Sequence, residues 1–324
     1  MSSELAENAP AAKTNTKAAP AAEATWLSQG ERGALFGIQL VFRLATAFGR
    51  APMRQLMRLI ALWYVVFDKH ARTSSRLFLE RALARPVGWL DVYRHVLRFA
   101  RVTLDRVFLL LGDNKQTFVV NSTGHQHLEA LTSARRGAVL LGAHLGSFEA
   151  MRAGAAHDRL PLNIVGHFEN ARMINALLDR LDPEKSARVL HVGKDPVGFA
   201  MNVSDRLANG ELVAILADRV GLNDKQVEVD FLGAKATFPT GPFLLASLLK
   251  CPVYLVFGLY FEPNRYELFC EPFAERIELP RAQRAQALAA TVQRYATRLE
   301  HYVRLAPDNW FNFYDFWNAG KAKS

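Results

Sequence analysis

The spacing of apolar positions along the chain changes near residue 118. Before that point large apolar residues recur three or four positions apart, as in Leu56, Leu59, Ile60, Trp63 and Phe67, which is the period of an amphipathic helix. We therefore predict helices throughout residues 26–112. After that point short apolar runs predict strands at residues 118–120, 138–141, 163–165, 189–191, 212–216, 227–231, 253–261 and 266–270.

Helical patterns separate most of these strands, at residues 126–134, 148–156, 172–181, 196–208, 242–249 and 281–303. Strands that alternate with helices predict an α/β fold, with a mostly parallel mixed sheet flanked by helices. The turn residues 262–265 predict one antiparallel pair, at an edge of the sheet. The expected organisation is a disordered tail at 1–24, a basic amphipathic helical region at 25–115, an α/β core at 116–318 and a short tail at 319–324.

The composition is that of a folded protein with a large core. Half of the 324 residues are hydrophobic. Residues 1–24 lack a continuous apolar stretch, so we expect a flexible tail there and not a secretory signal. Cys251 and Cys270 each lie in an apolar run, which predicts two buried thiols and suits a reducing compartment.

Basic residues are interleaved with the apolar positions of the N-terminal region. The formal net charge is +9, from 40 Lys and Arg against 31 Asp and Glu. The arginines of the region are Arg43, Arg50, Arg54, Arg58, Arg72, Arg76, Arg81, Arg85, Arg94, Arg98, Arg101 and Arg106. This pattern is typical of binding to an anionic membrane surface, and a helical layer with a solvated basic face is the alternative. Because no window offers the about 20 uncharged apolar residues of a transmembrane helix, we expect a peripheral or monotopic protein.

A histidine follows the apolar run at 138–141. Small residues break the run in the segment Gly142-Ala143-His144-Leu145-Gly146-Ser147, and a helical pattern begins at Phe148. His144 is therefore expected at the carboxyl end of a buried strand, where open α/β sheets bind their ligands. Glu149 is expected in the first turn of the helix that follows.

His144 and Glu149 can meet only if the chain turns between them, because five positions on one helix lie roughly 140° apart. Gly142 and Gly146 permit such a turn. We expect Glu149 to accept the Nδ1 proton, which leaves Nε2 free as a general base toward an acceptor hydroxyl. The alternative is a histidine that caps the strand beside a surface glutamate, since His-x4-Asp/Glu alone is expected about once by chance.

The segment from Gly142 to Glu149 resembles the His-x4-Asp/Glu box of the lysophospholipid acyltransferase superfamily, and most closely that of its lipid A late acyltransferase branch (lauroyl and myristoyl acyltransferases). Three further segments follow in that family's order, at 210–219, at 229–242 and, with Pro-x-x-Trp, at 307–311. The likeness runs from about residue 26 to residue 317. It implies transfer of a fatty acyl chain from an acyl carrier protein or acyl-CoA to a hydroxyl of a lipid or glycolipid. It also implies work at the cytoplasmic face of the inner membrane, without a cofactor.

These segments also supply candidate substrate-binding residues. Asp218 and Arg219 end an apolar strand and are expected to border the cleft of His144, with a salt-bridged loop as the alternative. Thr240 and Gly241 open a helix whose free backbone N–H groups suit a phosphate or a developing oxyanion, and a plain helix cap is the alternative.

One stretch departs from the lipid A branch, in which an arginine-containing segment after the next strand helps to stabilise the oxyanion. The comparable residues are 165–172, where His167, Asn170 and Arg172 are the candidates. The aromatic run at 310–317 also differs from that branch. We expect it to pack in the core, and a groove for an acyl chain is the alternative.

Other classes of function lack their motifs. The chain has no Gly-x-Ser-x-Gly elbow, no P-loop and no dinucleotide-binding glycine set. A zinc site would need a tighter cluster than His144, Glu149, His157 and His167, so no metal is expected. A non-catalytic basic module that binds membranes or nucleic acid is the main alternative. It explains the charge but not the histidine at a strand end, and we expect no nucleic-acid partner.

Overall fold

The N-terminal part of the described chain is helical. The computed structural model describes residues 43–111, 117–158, 160–166, 188–192, 195–220 and 225–318. Three helices, α1 (Arg50–Phe67), α2 (Lys69–Leu83) and α3 (Trp89–Leu111), fall in the predicted helical region. The buried positions of α1 recur every four residues, so one stripe of the helix packs on the core: Met53, Met57, Ala61 and Val65. The predicted tails at 1–24 and 319–324 lie outside the described residues.

A seven-stranded sheet carries the rest of the fold. Its strands are β1 (Val119–Thr123), β2 (Ala138–Gly142), β3 (Leu162–Gly166), β4 (Arg188–His191), β5 (Leu212–Leu216), β8 (Val253–Phe261) and β9 (Arg265–Ala274). Their order is β1-β9-β8-β2-β5-β3-β4. Every neighbouring pair is parallel except β8 and β9. The predicted α/β fold with a mostly parallel mixed sheet is confirmed.

Helices cover both faces of this sheet. They are α4 (His125–Ser133), α5 (Phe148–His157), α6 (Pro196–Ala208), α7 (Gly241–Leu249) and α8 (Arg284–Leu305), with short 3-10 turns at Arg281–Gln283 and Pro307–Asn309. Side chains alternate along β2, so Val139 and Leu141 join the main core while Ala138 and Leu140 join a second cluster on the opposite face. The helix predicted at 172–181 lies outside the described residues.

Two features of the strands differ from expectation. β6 (Gln226–Phe231) and β7 (Ala234–Pro239) form a separate antiparallel pair, of which only the first strand was predicted. In β7 the apolar residues Ala234, Ala236 and Phe238 alternate with Lys235 and Thr237. Two of the three apolar residues are alanines, so the pattern is too weak to be recognised. The antiparallel pair expected around residues 262–265 is present, but it is not at the edge, because β1 pairs with β9.

Half of the arginines that predicted a basic face are paired with acids of the same chain. These ion pairs are Arg50–Asp105, Arg54–Glu262, Arg85–Asp91, Arg98–Glu262, Arg98–Asp308, Arg101–Glu262 and Arg106–Glu149. The three pairs with Glu262 hold α1 and α3 to the end of β8, and the other pairs join helices and loops to one another. None of the helices in the described ranges is long and apolar enough to span a membrane.

Candidate active site

His144 lies two residues beyond the end of β2, in the turn that leads to α5. The end of the strand is held by two hydrogen bonds to the carbonyl of Gly142, from the backbone N–H of Ala217 at 3.0 Å and from the buried hydroxyl of Tyr295 at 2.7 Å. The carboxyl end of β2 is thus a fixed point from which the imidazole projects.

Gly146 allows the turn between His144 and α5. Its φ is +72°, a region that residues with a Cβ rarely adopt, and a Cβ here would lie 1.9 Å from the carbonyl oxygen of Gly258. The next residue, Ser147, donates its backbone N–H to that same oxygen at 2.7 Å, so the turn is packed directly on β8. Any side chain at position 146 would displace the turn that presents His144.

Asp218 is the residue that orients His144. One carboxylate oxygen lies 2.9 Å from Nδ1 of the imidazole, and the other accepts the backbone N–H of His144 at 3.0 Å. Sheet register explains the contact: Gly142 pairs with Leu216, so His144 and Asp218 stand at matching positions, two residues beyond neighbouring parallel strands. Since an ionised carboxylate only accepts hydrogen bonds, Nδ1 carries the proton and Nε2 presents a lone pair.

The electrostatics of the pair favour a neutral base beside an anion. Burial alone would raise the pKa of Asp218, but interactions with His144, with Arg219 and with the indole of Trp310 lower it to about 2. The pKa of His144 is lowered from 6.5, and burial is the largest cause. Asp218 raises this pKa, whereas the charges of Arg219 and Arg106 lower it. The imidazole side chain still has 35% of its surface exposed, so an alcohol can reach it.

The expected hydrogen bond between Glu149 and Nδ1 is not formed. Glu149 lies in the first turn of α5, as predicted, but its carboxylate is 3.1 Å from Nε of Arg106 on α3. The two atoms are buried, and their alignment is not that of a hydrogen bond. The prediction was wrong on this contact because it considered only the partner nearest in sequence, whereas the neighbouring strand supplies Asp218.

The other candidate residues divide into three groups. Arg219 borders the site as expected, and its guanidinium donates to the carbonyl of Phe311 at 2.8 Å. The hydroxyl of Thr240 donates to the carbonyl of Lys225 at 3.0 Å, and Gly241 is the first residue of α7. His167, Asn170 and Arg172 lie outside the described residues, as does the side chain of His157.

The aromatic run near the C-terminus, which was predicted to pack in the core, also contributes a residue to the site. Trp310 is 1% exposed, so it is a core residue, but its indole N–H also donates to Asp218 at 2.9 Å. The Pro-x-x-Trp segment singles out Trp310 in the sequence, but it does not indicate which residue accepts the hydrogen bond of the indole N–H. In the part of the chain that the structure describes, no three His, Cys, Asp or Glu side chains are grouped to hold a metal ion.

Comparison with known proteins identifies one matching family. The family model described as bacterial lipid A biosynthesis acyltransferase matches residues 102–319, which include β2, the turn with His144, Asp218 and Trp310. No curated protein matches the chain.

Proposed function

The chain belongs to the bacterial lipid A biosynthesis acyltransferase family, and from that membership we propose that it moves a fatty acyl chain from an acyl thioester to a hydroxyl of a lipid or glycolipid, with His144 as the general base. The family supports acyl transfer of the lipid A type. The acyl thioester donor, the lipid acceptor and the role of His144 go beyond what the family gives and are proposals.

The observation that carries the proposal is the arrangement of His144. Its Nδ1 is tied to a fully buried, ionised Asp218, while the ring remains partly exposed. Within the described residues Nε2 has no hydrogen-bond partner. A neutral imidazole with a fixed tautomer and a free Nε2 is what proton abstraction near neutral pH requires.

The reaction follows as two steps. The acceptor hydroxyl attacks the thioester carbonyl as Nε2 takes its proton, which gives a tetrahedral oxyanion and an imidazolium held by Asp218. The intermediate then collapses, the C–S bond breaks, and the imidazolium returns the proton to the departing thiolate. The products are the acylated lipid and a free thiol, and the base is regenerated.

The developing oxyanion needs positive charge close to the imidazole. Arg106 and Arg219 are near enough for their charges to lower the pKa of His144. We propose that they also stabilise the oxyanion. His167, Asn170 and Arg172 stay predictions for the same task or for donor binding, and Thr240 and Gly241 for a phosphate of donor or acceptor.

A lipid acceptor requires contact with a membrane, and we propose that α1 provides it. The outward side of α1 is apolar, at Leu59, Leu62, Trp63, Val66 and Phe67. Arg58 on α1 and Lys69 and Arg76 on α2 are exposed cations of the same helical region. Large apolar and aromatic side chains together with cations suit the headgroup region of a bilayer with anionic lipid.

Acyl transfer by the purified protein tests the proposal. Acyl carrier protein and coenzyme A thioesters of the same chain length would be compared as donors, with lipid extract as acceptor and mass spectrometry as the readout. Cells that lack the gene should contain a lipid lighter by one acyl chain. The family resemblance makes the acyl carrier protein the expected donor.

His144→Ala separates the enzyme from a non-catalytic membrane-binding protein. Loss of the base should lower turnover by about 10²- to 10⁴-fold while vesicle binding persists. His301→Ala, which changes an exposed histidine of α8, is the matched control and should keep full activity. Unaltered turnover in His144→Ala, or no missing acyl chain in the deletion strain, would reject the proposal.

A further inference from the structure

A short C-terminal segment holds the turn that carries His144. This strap consists of Asn309, Trp310 and Phe311. The carbonyl of Asn309 accepts the backbone N–H of Gly146 at 2.8 Å, and the backbone N–H of Phe311 donates to the carbonyl of His144 at 3.1 Å. These two bonds fix the backbone on both sides of Leu145.

The same strap also reaches the end of β5. The indole N–H of Trp310 donates to Oδ2 of Asp218 at 2.9 Å, and the carbonyl of Phe311 accepts a hydrogen bond from Arg219 at 2.8 Å. The strap therefore connects the two strand ends whose residues form the imidazole–carboxylate pair.

Three donors reach the carboxylate of Asp218 within the described residues. Two of them belong to His144, through its backbone N–H and Nδ1, and the third is Trp310. The indole is thus the donor that orients Asp218 independently of the histidine. Asp218 is fully buried, so bulk water does not reach the carboxylate while Trp310 is in place.

We propose that Trp310 is a positioning residue for acyl transfer, whose indole N–H fixes the carboxylate of Asp218 against His144. The inference rests on the proposed role of His144 as base. A hydrogen bond to a charged, buried group is among the stronger ones in proteins. Its loss leaves the carboxylate held only by the two donors of His144, so the imidazole–carboxylate pair as a whole is less firmly positioned.

Loss of the indole donor also has an electrostatic consequence. The indole N–H disperses part of the negative charge of Asp218. Without it the carboxylate is a stronger partner for a protonated His144, so more of the base is in its inactive imidazolium form at a given pH. The acidic limb of kcat/KM should therefore move to higher pH.

Trp310→Phe is the test, with Trp317→Phe as its matched control. Both changes remove an indole from the same aromatic cluster, but the indole of Trp317 faces the carbonyl of Phe231 at 3.4 Å and not Asp218. Trp310→Phe should lower kcat about tenfold or more, leave KM nearly unchanged and shift the acidic limb upward. Trp317→Phe should change neither kcat nor the pH of the acidic limb of kcat/KM by a comparable amount.

A double-mutant cycle with Asp218→Asn shows whether Trp310 acts through Asp218. If it does, Trp310→Phe should cause little further loss in the Asp218→Asn background. Losses that multiply, or a wild-type pH profile in Trp310→Phe, would overturn the inference. Neither outcome would affect the proposed function, which is rejected by an active His144→Ala variant or by a deletion strain whose lipids lack no acyl chain.

A measurement on folded protein with Trp310 in place covers the case in which Trp310→Phe does not fold. The chain has five tryptophans, hence five indole N–H resonances. Asp218→Asn removes the charge that one of them faces, so one indole resonance should move far more than the other four. If no indole resonance moves selectively, the proposed link between Trp310 and Asp218 is refuted.

Discussion

At the scale of single residues, burial disfavours the charged form of both members of the site, but the neighbours of Asp218 outweigh this effect and those of His144 do not. Asp218 is buried but surrounded by donors, which keep it ionised with a pKa of about 2. His144 is placed where burial and two nearby arginines disfavour its protonated form. The pair is therefore set as anion and neutral base over the whole neutral range. The reaction needs that combination, because a protonated His144 has no lone pair for the acceptor hydroxyl.

Asp218→Asn is expected to disable the base by changing its tautomer. The asparagine amide can donate toward Nδ1, which would place the imidazole proton on Nε2, so kcat should fall by about a hundredfold or more. Nitrogen-15 NMR of the imidazole distinguishes the tautomers directly. Asp205→Asn, an exposed position on α6, is the control for the chemical change.

Glu149→Gln belongs in the same experiment. Because Glu149 faces Arg106, its amide variant should keep the Nδ1–H tautomer of His144 whatever its effect on turnover. If Glu149→Gln altered the tautomer and Asp218→Asn did not, the assignment of the Nδ1 partner would be incorrect.

At the scale of elements, the sequence predicts what depends on neighbouring positions along the chain. The strands at 212–216 and 253–261 have the predicted bounds, and His144 stands at a strand end as expected. The partner of Nδ1 was not predictable in the same way, because it depends on β2 and β5 being adjacent and in register. The acids opposite Arg54, Arg98 and Arg101 were missed for a similar reason, since Glu262 follows them by more than 150 positions.

His95 joins three elements and should make stability depend on pH. Its Nδ1 lies 2.8 Å from the hydroxyl of Ser75 on α2, and its Nε2 lies 3.0 Å from the carbonyl of Trp310 in the strap. Burial lowers the pKa of His95 to about 4. The unfolded chain binds a proton near pH 6.5, whereas the folded protein does not until about pH 4. Stability should therefore fall as pH drops through this window, by about 3 kcal/mol from this residue.

Denaturant unfolding at several pH values checks the contribution of His95. His95→Gln should be less stable at pH 7 but lose less free energy of unfolding on acidification than the wild type. His70→Gln, an exposed change on α2, should follow the wild-type dependence. Equal slopes in wild type and His95→Gln would contradict the assignment.

The turn between β8 and β9 fastens the N-terminal helices to the sheet. Glu262 receives Arg54 from α1 and, at 2.9 and 2.5 Å, Arg98 and Arg101 from α3. Glu262→Gln removes the carboxylate charge that these three partly buried arginines share. The free energy of unfolding should therefore fall by about 2 kcal/mol. Glu278→Gln changes an exposed glutamate and should have little effect on the denaturation midpoint. Equal midpoints for the two variants would show that the cluster contributes no net stability.

At the scale of the whole molecule, the net charge of +9 is a poor guide to the outer surface of the helical region. Half of the arginines considered there are in ion pairs, and the outward side of α1 is instead apolar, with Trp63 57% and Phe67 68% exposed. Trp63 and Phe67 contact each other, with ring centroids 5.4 Å apart, so they form a continuous patch. Membrane attachment through this patch would be hydrophobic first and electrostatic second.

Trp63→Ser with Phe67→Ser should therefore release the protein from vesicles. Insertion of a large apolar side chain contributes roughly 1.5–3 kcal/mol when burial is complete, so the double variant should bind at least about tenfold more weakly. Leu248→Ser with Val197→Ser removes two equally exposed apolar side chains from α7 and α6 and is the matched control. Cosedimentation with vesicles of mixed zwitterionic and anionic lipid measures the affinity, and added salt separates the two contributions. If salt alone released the wild type, or if the double variant bound as tightly as its control, attachment would depend on the exposed cations Arg58, Lys69 and Arg76 and not on the apolar patch of α1.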